Sequence, residues 1–250
     1  MHAHTPSLLD TVECALPMPL TDRPLNQREA AWRIRSYPCT GSALFLRPLL
    51  PLSPAYATIL QSDATLIDER CFIGHDLRQL SFDGAPSSNL YAVDIVSHWD
   101  IGYDMFRDRD IFSATFMEAD ILHPSEELWA INGGMDVINR TLVLHQWDWA
   151  GQIAVARKLV ALSRGPGTPI VVFQVGSSGS DRIGSHSEEN PLGTKEVFFH
   201  SPDTFAQMWA EVGNATETKW EVQAELWTGE ETGWNKAELR QYVGDCARIL

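Results

Sequence analysis

Residues 68–80 read DERCFIGHDLRQL and set acids, a glycine and a cation in one short turn. The turn follows the apolar run ATLI and precedes a segment of helical spacing, so it reads as a strand handing over to a helix. Such a turn binds a nucleoside-containing cofactor when a glycine lets backbone N–H groups approach the ligand with no Cβ between. Gly74 can serve. The second requirement is an acid about twenty residues further on, at the end of the next strand, accepting from both ribose hydroxyls. Asp94, in LYAVDI, stands there. Asp120, in MEADI, ends the third run, where it either meets an adenine amino group or caps the following turn. Arg70, however, occupies a position where these turns want glycine.

Arginine is costly to bury in a concave site unless an anion or carbonyl meets it. Arg70 and Arg140 are therefore candidate catalytic residues, polarising a carbonyl or gripping a carboxylate; the bland alternative pairs Arg70 with Asp68, Glu69 or Asp94. His75, opening the helix after the turn, and His145, after the fourth strand, are candidate acids or bases. Asn139 beside Arg140 and Gln174 at the end of the fifth run complete the set, as cofactor and substrate contacts. His98 reads as a surface residue.

These residues need a scaffold. ATLID, NLYAVDI, ATFMEADI, MDVINRTLVL and PIVVFQVG are short apolar runs, and helical patterns lie between them. That alternation predicts an α/β fold with a mostly parallel sheet covered by helices on both faces. Ligands of such sheets bind at the carboxyl ends of the strands, which is where the candidates fall. GSSGSDRIGSHSEENPLG reads as a flexible loop, SPDTFAQMWAEVG as a helix, KWEVQAELW as a strand, and ELRQYVGDCARIL as a last, antiparallel strand. Residues 1–60 are expected to form an N-terminal arm and helical lid, and 61–250 a single domain.

Composition narrows the partners. A formal net charge of −14 gives no footprint for a phosphate backbone, so nucleic acid is not expected. The four cysteines lack CxxC spacing, which predicts reduced thiols, a cytoplasmic setting and no metal site. No apolar run reaches membrane-spanning length. The expected partner is a small, apolar acid or carbonyl substrate, with a homodimer left open.

FIGHDLRQLSFDGAPSSNLYAVDI followed by WDIGYDMFRDRD is similar to the fungal class I methyltransferases of secondary metabolism, including carboxyl O-methyltransferases of meroterpenoid pathways. Further matches are AAWRIRSYPCTG, MDVIN before LHQWDWAGQ, VVFQVGS, and FFHSPDTFAQMWAEVGNATETKWEVQAEL. The resemblance runs from about Gln27 onward. It implies a seven-stranded Rossmann-like sheet binding S-adenosylmethionine, with Asp94 at the ribose and Asp120 at the adenine. It also implies a substrate held under the N-terminal segment, with Trp32 and Tyr37 as an apolar wall. The family turn reads like D-x-G-C-C-x-G-Q-D, whereas here Glu69, Arg70 and His75 replace an apolar residue, a glycine and a glutamine. The family arginine before Phe45-Leu46 is Leu44.

Because those departures cluster where the methionine end of the cofactor belongs, the first reading is a cofactor-free enzyme. On that reading methyl transfer has been lost and Arg70 and Arg140 promote cyclisation, cycloaddition or isomerisation of a polyketide- or terpenoid-type substrate. The alternative is an active S-adenosylmethionine-dependent O-methyltransferase in which Arg70 anchors the cofactor carboxylate. A non-catalytic relative is the third.

Overall fold

The computed structural model describes residues 23–36, 40, 44–178, 182–185, 196–227 and 241–249. Strands form at the five apolar runs: β1 (Leu66–Glu69), β2 (Leu90–Asp94), β3 (Thr115–Glu118), β4 (Val137–Thr141) and β5 (Pro169–Gly176). Neighbours pair in parallel, with Asp68 opposite Asn139 and Asp68 opposite Ala92. The stretch read as a flexible Gly/Ser loop contains a strand, β6 (Arg182–Ser185), which pairs antiparallel with β7 (Glu196–Phe199). Backbone pairing to EVFF supplies there the order that composition alone does not suggest. The chain returns through β8 (Trp220–Trp227) and β9 (Gln241–Ile249), and β9 inserts antiparallel between β5 and β8. The seven-stranded order is β3-β2-β1-β4-β5-β9-β8. Strand order reverses between β1 and β4, which opens a crevice at their carboxyl ends.

The helices are α1 (Arg23–Ile34), α2 (Tyr56–Leu60), α3 (His75–Phe82), α4 (Trp99–Phe106), α5 (Glu126–Ala130), α6 (Trp149–Leu162) and α7 (Pro202–Thr216). Local chemistry starts several of them. Asp148 accepts from the Gly151 amide at the head of α6, and Ser201 and Thr204 form a capping box at α7.

Side chains alternate along a strand, so each strand feeds two cores. Ile67, Ile138 and Val172 pack with Val155 and Leu159 of α6 and Phe205 and Trp209 of α7. Leu66, Val137 and Val171 pack with Leu77 and Leu80 of α3 and Trp99 of α4. Burying each such aliphatic side chain contributes about 1.5–3 kcal/mol. The same alternation sorts the polar groups at the strand ends: Glu69, Arg140 and Gln174 fall on the first face, and Asp68, Asn139 and Asp94 on the second. Ahead of the sheet, α1 lies against α4, where Ala31 meets Ile101 and Met105. No described helix is long and apolar enough to cross a membrane.

Candidate active site

The turn from β1 to α3 is built from left-handed residues: φ is +71° at Arg70, +53° at Phe72 and +69° at Gly74. Only glycine adopts this region freely, so Arg70 and Phe72 each hold local strain of about 1–2 kcal/mol. The neighbouring strand holds them there. The Arg70 and Cys71 amides donate to the Val93 carbonyl at 2.7 and 3.2 Å, and the Phe72 amide donates to Asp94 Oδ2 at 3.0 Å. Gly74 serves packing. A Cβ there would lie 2.5 Å from the Trp99 ring and 2.8 Å from Arg78 Nη1, and the residue is absent from the cavity wall. The missing side chain of Gly74 admits Trp99 of α4.

Between this turn, the segment ahead of β1 and the residues at and after the end of β4 lies a cavity. Its polar wall is Asp68, Arg70, His75, Asp76 and Asp94; Phe45, Leu49 and Leu142 supply apolar surface. Asp94 is 3 % exposed, and its Oδ1 accepts no hydrogen bond of good geometry among the described residues. Burial pushes its carboxyl up, against the pull of Arg70 and the Phe72 and Val96 amides. Asp68 is raised too, by burial and then by Asp76, while Asn139 Nδ2 donates to Asp68 Oδ1 at 2.8 Å and lowers it. Asp76 is a fastener: its Oδ1 accepts from the Leu49 and Leu50 amides at 2.7 and 2.9 Å and its Oδ2 from Thr141 Oγ1 at 3.3 Å. His75 is pushed down by burial and its Nδ1 has no hydrogen-bond partner among the described residues.

The two arginines do not both face the cavity, as expected from the sequence. Arg140 is fully buried on the opposite sheet face, where Nη1 contacts Glu69 Oε2 and the guanidinium lies 5.0 Å over the Trp147 ring. Burial lowers it to about 9, so it stays charged at neutral pH. Arg70 lines the cavity, with its guanidinium 5.7 Å over the same ring and Nε 3.8 Å from Glu69 Oε1. One carboxylate thus serves two guanidiniums. The arginine side chain leans toward Glu69 and Trp147.

The other expected residues are dispersed. Asn139 sits behind Asp68 and bridges to Thr141 Oγ1 at 3.2 Å. Gln174 is fully buried on the Arg140 face, with neither amide atom hydrogen-bonded among the described residues. Asp120 accepts from the Leu122 amide and pairs with His123 Nδ1, both at 3.0 Å, capping a local turn outside the cavity wall. His145 accepts from the Val175 amide at 3.3 Å and stacks on Phe199, also off the wall. Trp32 is 47 % exposed on α1, in a groove with Arg28, Glu29 and Arg33. Tyr37 lies outside the described residues. His98, read as a surface residue, is buried with its ring 4.6 Å from Phe72, because α1 covers it. No group of three or more metal-ligating side chains forms among the described residues. Sequence reasoning missed Glu69, Asp68 and Asp76 as site residues; the signal was three acids inside one buried turn.

No family model matches the chain. It is 35% identical over 214 residues to O-methyltransferase atr3 of Stereocaulon alpinum, covering 82% of this chain but 60% of the relative. It is 31% identical over 207 residues to Asnovolin E/Chermesin D methyltransferase nvfJ of Aspergillus novofumigatus, covering 78% of this chain and 71% of that one. In fold it matches the Burkholderia thailandensis 1,6-didemethyltoxoflavin-N1-methyltransferase, a structure with bound S-adenosylhomocysteine, at TM-score 0.60, 14% identity and coverage of 93% and 91%. The cyclase reading gains nothing from these relatives, whose names support its alternative. On these similarities the chain belongs to the fungal methyltransferases of secondary metabolism, built on the class I S-adenosylmethionine-dependent methyltransferase fold.

Proposed function

We propose that the chain is an S-adenosylmethionine-dependent O-methyltransferase acting on a carboxyl or hydroxyl group of a small, largely apolar terpenoid or polyketide molecule. The observation that carries the reading is Asp94, a buried carboxylate at the end of β2 that lines the cavity, with Oδ2 pinning the turn and Oδ1 accepting no hydrogen bond of good geometry among the described residues. A pair of ribose hydroxyls supplies the donors it lacks. Arg70 is among the residues that border the same cavity.

When bound, S-adenosylmethionine supplies a methyl group already activated on a sulfonium sulfur. The chain's own residues bind and orient. Asp94 holds the ribose, and Asp68 and Asp76 place negative charge along a wall that faces a cationic cofactor. Phe45, Leu49 and Leu142 exclude water. A carboxylate acceptor needs no base; for a hydroxyl acceptor, neutral His75 offers Nδ1 to take the proton. Titration calorimetry with S-adenosylhomocysteine tests the reading. Micromolar binding abolished by Asp94→Ala is expected, and no binding at millimolar concentration overturns it.

A further inference from the structure

Behind the cavity wall, Glu69, Arg70, Arg140 and Trp147 form a buried polar cluster whose charges do not balance. Among the described residues Glu69 is the carboxylate within 4.0 Å of either guanidinium, and its two oxygens are shared unequally. Oε2 is in direct contact with Arg140 Nη1, whereas Oε1 stands 3.8 Å from Arg70 Nε, beyond hydrogen-bond reach. Arg140 is sealed behind the sheet. Arg70, on a side chain 5 % exposed, keeps Nε and Nη2 without a hydrogen-bond partner among the described residues. Arg70 is among the residues lining the cavity, and its guanidinium sits 5.7 Å over the Trp147 ring. Its backbone is also held at φ +71°, strain that glycine would relieve.

We propose that Arg70 is the carboxylate receptor of this cavity, with Glu69 and Arg140 as positioning residues that aim its guanidinium. The fork geometry of arginine matches a planar carboxylate bidentately. A dianionic phosphate is disfavoured, because Asp68, Asp76 and Asp94 share the wall. A single carboxylate, neutralised by one guanidinium, fits. Two sources offer that chemistry: the amino-acid end of the cofactor, which rests on the methyl-transfer reading above, and an acid substrate, which does not require it.

Calorimetry on the full chain separates them, using S-adenosylhomocysteine, 5′-methylthioadenosine, which lacks the amino-acid end, and benzoate against benzamide. If the cofactor is the source, Arg70→Met weakens S-adenosylhomocysteine about tenfold to a hundredfold and leaves 5′-methylthioadenosine within twofold. If the substrate is the source, both nucleosides are unchanged and the preference for benzoate over benzamide disappears. Arg70→Lys, which keeps the charge and loses the fork, gives an intermediate loss and guards against a misfolded methionine variant. Glu69→Gln shifts carboxylate affinity alone. Failure of the wild-type chain to bind either nucleoside sinks the methyl-transfer reading and leaves the benzoate comparison to decide Arg70. Unchanged binding of every carboxylate probe by Arg70→Met overturns the proposal.

Discussion

Asp68 shows how a site residue taxes the protein that carries it. Its carboxyl is raised by burial and by Asp76, so the folded chain holds a proton there more tightly than the unfolded chain does. A raised carboxylate costs stability as pH climbs from the ordinary value through the folded one, and the full cost persists above it. Asp68→Asn removes that cost and keeps an acceptor oxygen for Asn139. The ligand-free variant is expected to melt about 2–4 °C higher at pH 7.5, the shift that roughly 1 kcal/mol produces in a chain of this size. The difference should shrink toward pH 4, where wild-type Asp68 is protonated. Cofactor affinity should fall at the same time, a stability gained by dismantling a binding wall. A lower melting temperature for the variant at pH 7.5 rejects this account.

At the scale of elements, the cavity is closed by a tie between segments far apart in sequence. Asp76, in the first turn of α3, accepts from the Leu49 and Leu50 amides and from Thr141 at the end of β4. Asp76→Ala leaves two buried N–H groups unpaired and frees the apolar wall that Phe45 and Leu49 provide. The expected loss is about 2–4 kcal/mol, with Asp76→Asn costing less because Oδ1 remains; urea denaturation of the two variants measures both. Equal stability of wild type and Asp76→Ala would show the tie to be idle. The sequence made part of this arrangement legible. The five buried runs set a parallel sheet, and the interval from the turn to Asp94 placed a carboxylate at the end of β2. The Glu69–Arg140 contact was out of reach, because it depends on Asp68 pairing with Asn139 in a strand some seventy residues away, a register no local pattern encodes. Gly74 was readable as a turn glycine, but not its packing against Trp99, which belongs to the next helix. His200 was passed over altogether: fully buried, it holds Gln152 and Thr204 at 3.1 Å and is pushed down to about 3 by burial. Only packing of β7 against α6 and α7 makes it a core residue.

For the whole molecule the deciding quantity is the net charge of −14, with three carboxyl groups on the cavity wall. S-adenosylmethionine carries a sulfonium, an ammonium and a carboxylate, one net positive charge; S-adenosylhomocysteine has lost the sulfonium charge and is neutral overall. An acidic chain attracts the first over a distance set by the Debye length, about 30 Å at 0.01 M ionic strength and 3 Å at 1 M, and has little such pull on the second. Low salt should therefore favour the methyl donor over the spent product, and high salt should erase that preference. Calorimetry at 20 mM and 500 mM sodium chloride, taken as roughly the two ends of that screening range, checks it. S-adenosylmethionine is expected to weaken several-fold between the two, while S-adenosylhomocysteine stays within about twofold. Equal weakening of both ligands would mean that the carboxylates on the wall are balanced locally by Arg70 and that the surface charge has no part in discriminating donor from product.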